Sequence, residues 1–276
     1  MSIEVGGTFG VSFVWRQKDE RWQDDCVGAK KKQGPTVMCW GMIGWGWKGP
    51  FHIWDSESKE EREKAKIQIA SLNQAAQAKE DQLNRTWQTS PEWKELRQQE
   101  LQAARELRQQ ALHTGEKVKT VQSWWGKKFK IYKLKRGEGK GVDSWRYVTK
   151  LARPILWPEC KRRLADNPSF ILVEDNAACH DSDWTNQERE AEGISKVDWP
   201  PNSPDFNPIE KIWTLMKRQI QRRRGLERIT TVGQMKSVRK EEWEKITIAE
   251  INAQISLLPK TMVLCIKQAG YNKFHA

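Results

Sequence analysis

The stretch from Phe170 to Arg224 constrains this chain more than any other part of it. Phe170-Ile171-Leu172-Val173 is a short unbroken apolar run, with Asn167-Pro168 before it and Asp175-Asn176 after it. A run of that length between turn signals predicts a buried strand, so Asp175 stands where a strand ends. Open α/β sheets bind ligands in the crevice beyond the carboxyl ends of their strands, and a carboxylate there is placed for chemistry. Downstream, Trp199-Pro200-Pro201-Asn202-Ser203-Pro204-Asp205-Phe206-Asn207-Pro208-Ile209-Glu210 is a proline-stiffened loop that feeds a helix. Asn207 suits the N-cap, Pro208 the first helical position and Glu210 the third. Taken singly, each feature has an ordinary reading: Asp175 as a turn residue, Asn-Pro-Ile-Glu as a capping box.

In combination they say more. Val173-Glu174-Asp175-Asn176-Ala177-Ala178-Cys179-His180 precedes the proline-rich loop, and 34 residues lie between Asp175 and Glu210. This ordered pair of motifs resembles the catalytic domain of mariner-type (pogo- and mariner-like) transposases of the DDE superfamily. There the second and third catalytic acids stand in a DN-A-x-x-H motif and an SPD-x-NPIE motif at about this separation. The resemblance covers residues 36–54 and 142–224. It implies an α/β fold, a ribonuclease-H-like mixed sheet flanked by helices, in which three acids converge on two Mg²⁺ or Mn²⁺ ions. The implied activity is metal-dependent phosphodiester cleavage and strand transfer during DNA transposition and integration. Asp175 and Glu210 are then the catalytic and metal-binding acids, Asn176 and His180 surround the site, and Asp205 and Asn207 belong to the scaffold that aims Glu210. Transposon-end and target DNA, a homodimer and a nuclear location are further implications of the resemblance.

The chemistry explains why such residues are needed. Phosphodiester cleavage requires an activated oxygen nucleophile, relief of phosphoryl charge and a stabilised leaving oxygen, and paired divalent ions about 4 Å apart supply all three. Hard ions such as Mg²⁺ take oxygen ligands, so carboxylates gathered from distant positions are suited to hold them. One departure is marked. In the family the first catalytic Asp ends the first strand in an Asp-Glu pair, and Met1-Ser2-Ile3-Glu4 resembles the segment that follows it. The expectation is therefore an N-terminally truncated and inactive chain, lacking that Asp, its strand and the helix-turn-helix region that precedes the catalytic domain in the family. Glu4, Asp19, Asp24 and Asp25 lie nearby, but none follows an apolar strand.

Charge placement is the second informative feature. The net charge is +12. Residues 116–163 hold 15 basic and 4 acidic residues, whereas residues 55–115 hold 10 and 11. Basic residues interleaved with Trp124, Trp125, Phe129, Tyr132 and Trp145 suit a polyanion, which singles out Lys127, Lys128, Lys130, Lys133, Lys135 and Arg136 as DNA-binding candidates. Mean hydropathy of −0.82 and the glycine-broken run from Val37 to Trp47 argue against a membrane span. Five cysteines without a C-x-x-C pair read as reduced thiols of a cytosolic or nuclear protein.

Four regions follow. Residues 1–54 contain a strand-forming stretch from Thr8 to Arg16, in a region that pairs subunits in the family, then the Lys30–Lys32 loop, then two strands joined by a glycine-rich turn over 36–54. His52 reads as a structural histidine. Residues 55–141 are a helical and basic insertion: Ile69, Leu72, Ala76, Leu83 and Trp87 mark one helical stripe, and a second helix starts at Ser90-Pro91 and runs through Leu96, Leu101, Leu107 and Leu112. Residues 142–224 complete the core, with a helix bent or ended by Pro154 and Pro158, the Asp175 strand, a helix over 182–192, a strand over Ile194–Trp199 and the Glu210 helix reaching Arg224. On that last helix Ile209, Ile212, Trp213, Met216 and Ile220 form the buried stripe. Residues 225–276 are one or two further helices. Two other functions fit parts of this pattern: a domesticated DNA-binding derivative without catalysis, and an interaction protein acting through residues 55–115.

Overall fold

The computed structural model describes residues 2–5, 35–115, 128–137, 141–200 and 203–270. The strand expected over Thr8–Arg16, the Lys30–Lys32 run and Lys127 lie outside the described residues. Two compact units are present. One comprises the described parts of Met1–Ser56, Arg146–Asp181 and Thr185–Ala276, the other Glu57–Trp145 with Ser182–Trp184.

The first unit begins with β1 (Ser2–Glu4), β2 (Thr36–Gly44) and β3 (Trp47–Ile53), an antiparallel sheet with β2 in the centre. Gly46 turns β2 into β3 at a φ of 78°, a left-handed conformation that favours glycine. Val37, Cys39 and Ile53 pack beneath three helices, α6 (Pro208–Arg224), α7 (Val232–Lys245) and α8 (Ile248–Ser256). From α6 come Ile212, Trp213, Met216 and Ile220, at the spacing of one helical face, with Ile209 partly buried beside them. Burying each such side chain is worth roughly 1.5–3 kcal/mol, so the helix bearing Glu210 is firmly seated. Phe51 stacks on Trp243 with ring centroids 4.9 Å apart. Lys48 Nζ donates to the carbonyls of Trp243, Glu244 and Ile246 at 3.0, 2.9 and 3.1 Å, closing the end of α7. Among the described residues the tail holds three helices rather than the one or two expected, since α9 (Leu258–Lys267) follows α8 directly, with a proline in its first turn.

Three further expectations for this unit need correction. The helix over Asp143–Trp157 is neither ended nor simply bent by Pro154. Instead α3 (Ser144–Tyr147) runs into a π-helix over Val148–Leu156 and then α4 (Trp157–Asp166). The wider π turn takes in a residue that has no N–H to donate, while Val148, Leu151, Ala152 and Leu156 stay buried. The run Phe170–Val173 is not buried on both faces. It makes a single parallel bridge, Leu172 to Lys196, through Leu172 N to Ser195 O at 3.0 Å and Val197 N to Leu172 O at 2.9 Å. Leu172 and Glu174 point inward, but Ile171 and Val173 are 53% and 43% exposed. Both line a cavity of about 620 Å³ whose other wall is β2 from Cys39 to Gly44. The expected strand over Ile194–Trp199 is likewise reduced to the bridge at Lys196. The helix expected over 182–192 is α5 (Asp183–Ala191).

In the second unit the two expected helices are α1 (Lys59–Thr89) and α2 (Pro91–Thr114), which meet at Ser90. Ser58 and Glu61 make a capping box on α1, and Ser90 ends α1 while its hydroxyl accepts from Trp93 N to start α2. The packed stripe differs from the leucine pattern. Helix α1 buries Ala65, Ile69, Glu80 and Asn84, α2 buries none of its residues, and Leu72, Leu96, Leu101, Leu107 and Leu112 are exposed. The polar face of α1 is occupied by the extended segment 128–136, which the apolar periodicity could not register.

Candidate active site

Helix α6 starts as the sequence suggests. Asn207 is at the N-cap with extended dihedrals, Pro208 lies in the first turn, and Glu210 N donates to Asn207 O at 3.0 Å. The Asn207 side chain makes no capping hydrogen bond, and among the described residues the Glu210 carboxylate has no hydrogen-bond partner. The capping-box reading of Asn-Pro-Ile-Glu is therefore not realised, and Glu210 is left for the cleft.

That cleft, about 310 Å³, is lined by Asp175, Asn176, Trp199, Ser203, Asn207 and Glu210, among others. The end of the bridged segment and a helix start have thus been brought to one cavity across 34 intervening residues. Asn176 Nδ2 donates to Trp199 O at 2.5 Å and ties the Asp175 turn to the proline-rich loop. Asp205 sits on the 3₁₀ turn Pro204–Phe206 and is not part of the lining.

Asp175 is 57% exposed at its side chain. Its Oδ1 accepts from His180 Nδ1 at 2.6 Å and from Ala177 N at 3.2 Å, while no hydrogen bond to Oδ2 occurs among the described residues. The bond from His180 holds the Asp175 carboxyl below the usual carboxylate range. Burial pulls the His180 imidazole down, but its hydrogen bonds to Asp175 and Cys179 and the nearby charge of Glu174 outweigh that and raise it to about 10. The pair is a charged one, an imidazolium clamping one oxygen of a carboxylate.

Behind it lies a set of residues that the motif reading did not single out. Glu174 is buried, accepts from the Tyr147 hydroxyl, and faces Arg189 Nη1 at 3.4 Å. Arg189 also donates to His180 O at 3.4 Å, and the Tyr147 ring lies 4.5 Å from that of His180. Desolvation, with the Glu174 charge second, pushes the Tyr147 hydroxyl well above its ordinary value, so it stays a donor. One signal was available in the sequence: Glu174 shares the inward face of its segment with Leu172, and a carboxylate there requires partners.

Residues 107–232, which include both acids, match the family model of the DDE superfamily endonucleases. Over that stretch the chain is similar to a DDE superfamily endonuclease domain. Among curated relatives it is 26% identical over 103 residues to the transposable element Tcb2 transposase of Caenorhabditis briggsae. It is 27% identical over 101 residues to the Tc3 transposase and 28% over 102 residues to the Tc1 transposase, both of Caenorhabditis elegans. Each alignment takes in 37% of this chain, and 36%, 30% and 36% of the respective relative. The chain thus matches about a third of the length of these proteins.

Asp175 and Glu210 offer oxygen donors on one cleft, a set that suits a hard divalent ion. Among the described residues no group of three His, Cys, Asp or Glu side chains is placed to hold a metal. The DNA-binding candidates are in the second unit, where the described ones sit between Lys128 and Arg136. Arg136 is committed internally: its guanidinium makes paired bonds to Glu57 at 2.9 and 2.7 Å and another to Asp143 at 2.7 Å.

Proposed function

We propose that this chain is the catalytic portion of a DNA transposase, cleaving and joining phosphodiesters with Mg²⁺ or Mn²⁺ held by Asp175 and Glu210. The observation that carries the reading is the shared cleft of these two acids within the DDE endonuclease match. When bound, a divalent ion pair supplies charge relief on the phosphoryl group and an activated oxygen nucleophile. The chain's own residues contribute positioning. His180 keeps Asp175 ionised and fixes Oδ1, leaving Oδ2 without a hydrogen bond among the described residues. The packed α6 fixes Glu210, and Asn176 holds the proline-rich loop against the Asp175 turn. DNA, bound through the basic segment around Lys128–Lys135, is the proposed substrate, the nucleus its place of action and a homodimer the assembly.

The two-acid set favours one refinement. With two rather than three carboxylates among the described residues, residues 1–276 by themselves are proposed to bind metal and DNA but to turn over poorly, as a non-catalytic DNA-binding derivative would. The exposed leucines of α2 support a separate role for these helices in recruiting a partner. The test is calorimetric titration of the 276-residue chain with Mn²⁺, beside Asp175→Ala and Glu210→Ala, followed by a plasmid-nicking assay. Weaker Mn²⁺ binding in each variant is expected. Binding unchanged by both substitutions overturns the shared-metal reading, and nicking by the wild type that disappears in Glu210→Ala overturns the refinement.

A further inference from the structure

Helix α1 buries an acid and an amide where a packed helix ordinarily buries leucines: Glu80 is 7% exposed and Asn84 5%. Their partners are backbone groups of the segment after Lys128. Asn84 Nδ2 donates to Phe129 O and its Oδ1 accepts from Phe129 N, both at 2.9 Å. Glu80 Oε2 accepts from Ile131 N at 3.0 Å. Asn73 repeats the double clasp on Leu134, at 2.9 and 2.8 Å. The spacing determines the segment's shape. From Asn84 back to Asn73 is eleven helical residues, about 16.5 Å at ~1.5 Å each. From Phe129 to Leu134 is five residues, which cover about 16.5 Å only at ~3.3 Å each, the rise of a fully extended chain. The segment is therefore a single strand laid antiparallel along α1, with helix side chains standing in for a neighbouring strand.

An extended chain sends alternate side chains to opposite sides. Leu134 is buried and Phe129 and Ile131 are half-buried against the helix, while Lys128, Lys130, Tyr132, Lys133 and Lys135 are exposed, the alternation slipping once at Tyr132-Lys133. The ladder fixes the backbone that carries the lysines, and two of their side chains are also held, none being neutralised by a carboxylate among the described residues. Lys128 Nζ lies 3.7 Å above the Trp87 ring, Lys133 donates to the neutral amide of Gln77, and among the described residues no carboxylate pairs with any of the four. Arg136, by contrast, is spent on Glu57 and Asp143 and anchors the end of the segment.

We propose that Lys128, Lys130, Lys133 and Lys135 form a fixed rail for the phosphate backbone of DNA, set by the Asn73–Glu80–Asn84 ladder. The choice of DNA among polyanions rests on the function proposed above; the rail itself rests on the ladder and the uncompensated row of charge. Compact ammonium groups suit phosphates as point charges, and none of these contacts reads a base, so binding is independent of sequence. The exposed Tyr132 adds a surface on which an unpaired base can stack.

The experiment measures affinity of the full 276-residue chain for a fluorescent duplex of arbitrary sequence and for the corresponding single strand, across a salt series. Lys130→Gln with Lys135→Gln should reduce the slope of log affinity against log salt by about 1.8 for duplex or about 1.4 for single strand. For duplex that makes the loss of affinity between about 50 and 200 mM salt about twelvefold smaller than in the wild type. The form whose slope falls by its own expected amount is the one the rail accepts. An unchanged slope on both forms overturns the proposal. Asn73→Leu with Asn84→Leu keeps every charge and should also weaken binding; if that variant melts like the wild type and binds as tightly, the fixed rail is overturned. The lysine variant alters only exposed side chains, so its result stands whether or not the asparagine variant folds. Mn²⁺ titration without DNA separates the readings, since loss of the rail leaves metal binding at Asp175 and Glu210 unchanged.

Discussion

Substituting Gly41 by alanine tests how the sheet sets the helix that carries Glu210. A methyl group at Gly41 would lie 2.8 Å from Trp213 Cη2, 2.8 Å from Trp243 Cη2 and 3.0 Å from Trp243 Cζ3. Comfortable carbon contacts are about 3.5–4.0 Å, so both rings must retreat by roughly 0.7 Å or more. Trp243 has the less room, being buried and stacked on Phe51, while Trp213, 5.5 Å from Trp243, lies at the wall of the cavity of about 620 Å³ and can give way more easily. Overpacking of this kind costs about 1–3 kcal/mol, against which the lower chain entropy of alanine returns about 0.4–1 kcal/mol. The net expectation is a loss of about 1–2 kcal/mol, or roughly 2–8 °C in Tm at this size, read by thermal and urea unfolding. Trp243→Phe in the Gly41→Ala background should cost less than the sum of the single changes, with a coupling of at least about 0.5 kcal/mol. Because Trp213 is three residues after Glu210 on α6, Mn²⁺ affinity should fall as well. A Gly41→Ala protein as stable as the wild type, or additive behaviour of the double variant, would refute the reasoning.

Three further outcomes are expected. Lys48→Met removes an ammonium shared by three carbonyls at the end of α7 and should lower stability by about 2–3 kcal/mol, measured as the urea midpoint; a loss below ~0.5 kcal/mol would mean that water replaces it. His180 is raised from 6.5 to about 10 on folding, so its contribution is full below pH 6.5 and is lost as pH climbs toward 10. With chelator present, the stability gap between wild type and His180→Gln should therefore narrow over that window, and a constant gap would contradict the charged pair. Burial raises the Cys39 thiol and pushes Cys160 up to about 12, so mass-spectrometric mapping of alkylation at pH 8 should find both protected until the protein is unfolded. Labelling of either at the unfolded rate would show that region to open readily.

The parts of the fold legible in the sequence are those determined by local chemistry. Proline at the first turn and an apolar stripe at helical spacing delimit α6 from Pro208 to Arg224, and Ser90-Pro91 marks the break between α1 and α2. What escaped depends on partners distant in the chain. An apolar run signals burial only if both of its faces are covered; Ile171 and Val173 instead line a cavity, because residues 170–174 are bridged on one flank only among the described residues. The ladder on α1 escaped for a related reason, since apolar periodicity cannot count Asn73, Glu80 and Asn84, whose value lies in the backbone of a segment some 45 to 61 residues away. The π-helix around Pro154 follows from buried side chains on both sides of the proline, which keep the helix going where sequence rules would stop it.

The same distinction between local and distant chemistry bears on the two acids. Asn-Pro-Ile-Glu has the local chemistry of a capping box, and had Glu210 folded back on the N-cap backbone, its carboxylate would have been consumed in ending a helix. Proline after the cap and the backbone bond from Glu210 N to Asn207 O start the helix without that side chain. Asp175 presents the complementary case. It does cap its own turn, through Oδ1 to Ala177 N, but His180 loads the same oxygen and no described residue takes Oδ2. Each acid thus keeps at least one oxygen that local structure does not require, and both face one cleft. A pair of carboxylates serving only turns and caps would have no reason to keep those oxygens unpaired on a shared surface, where like charge is unfavourable without a cation.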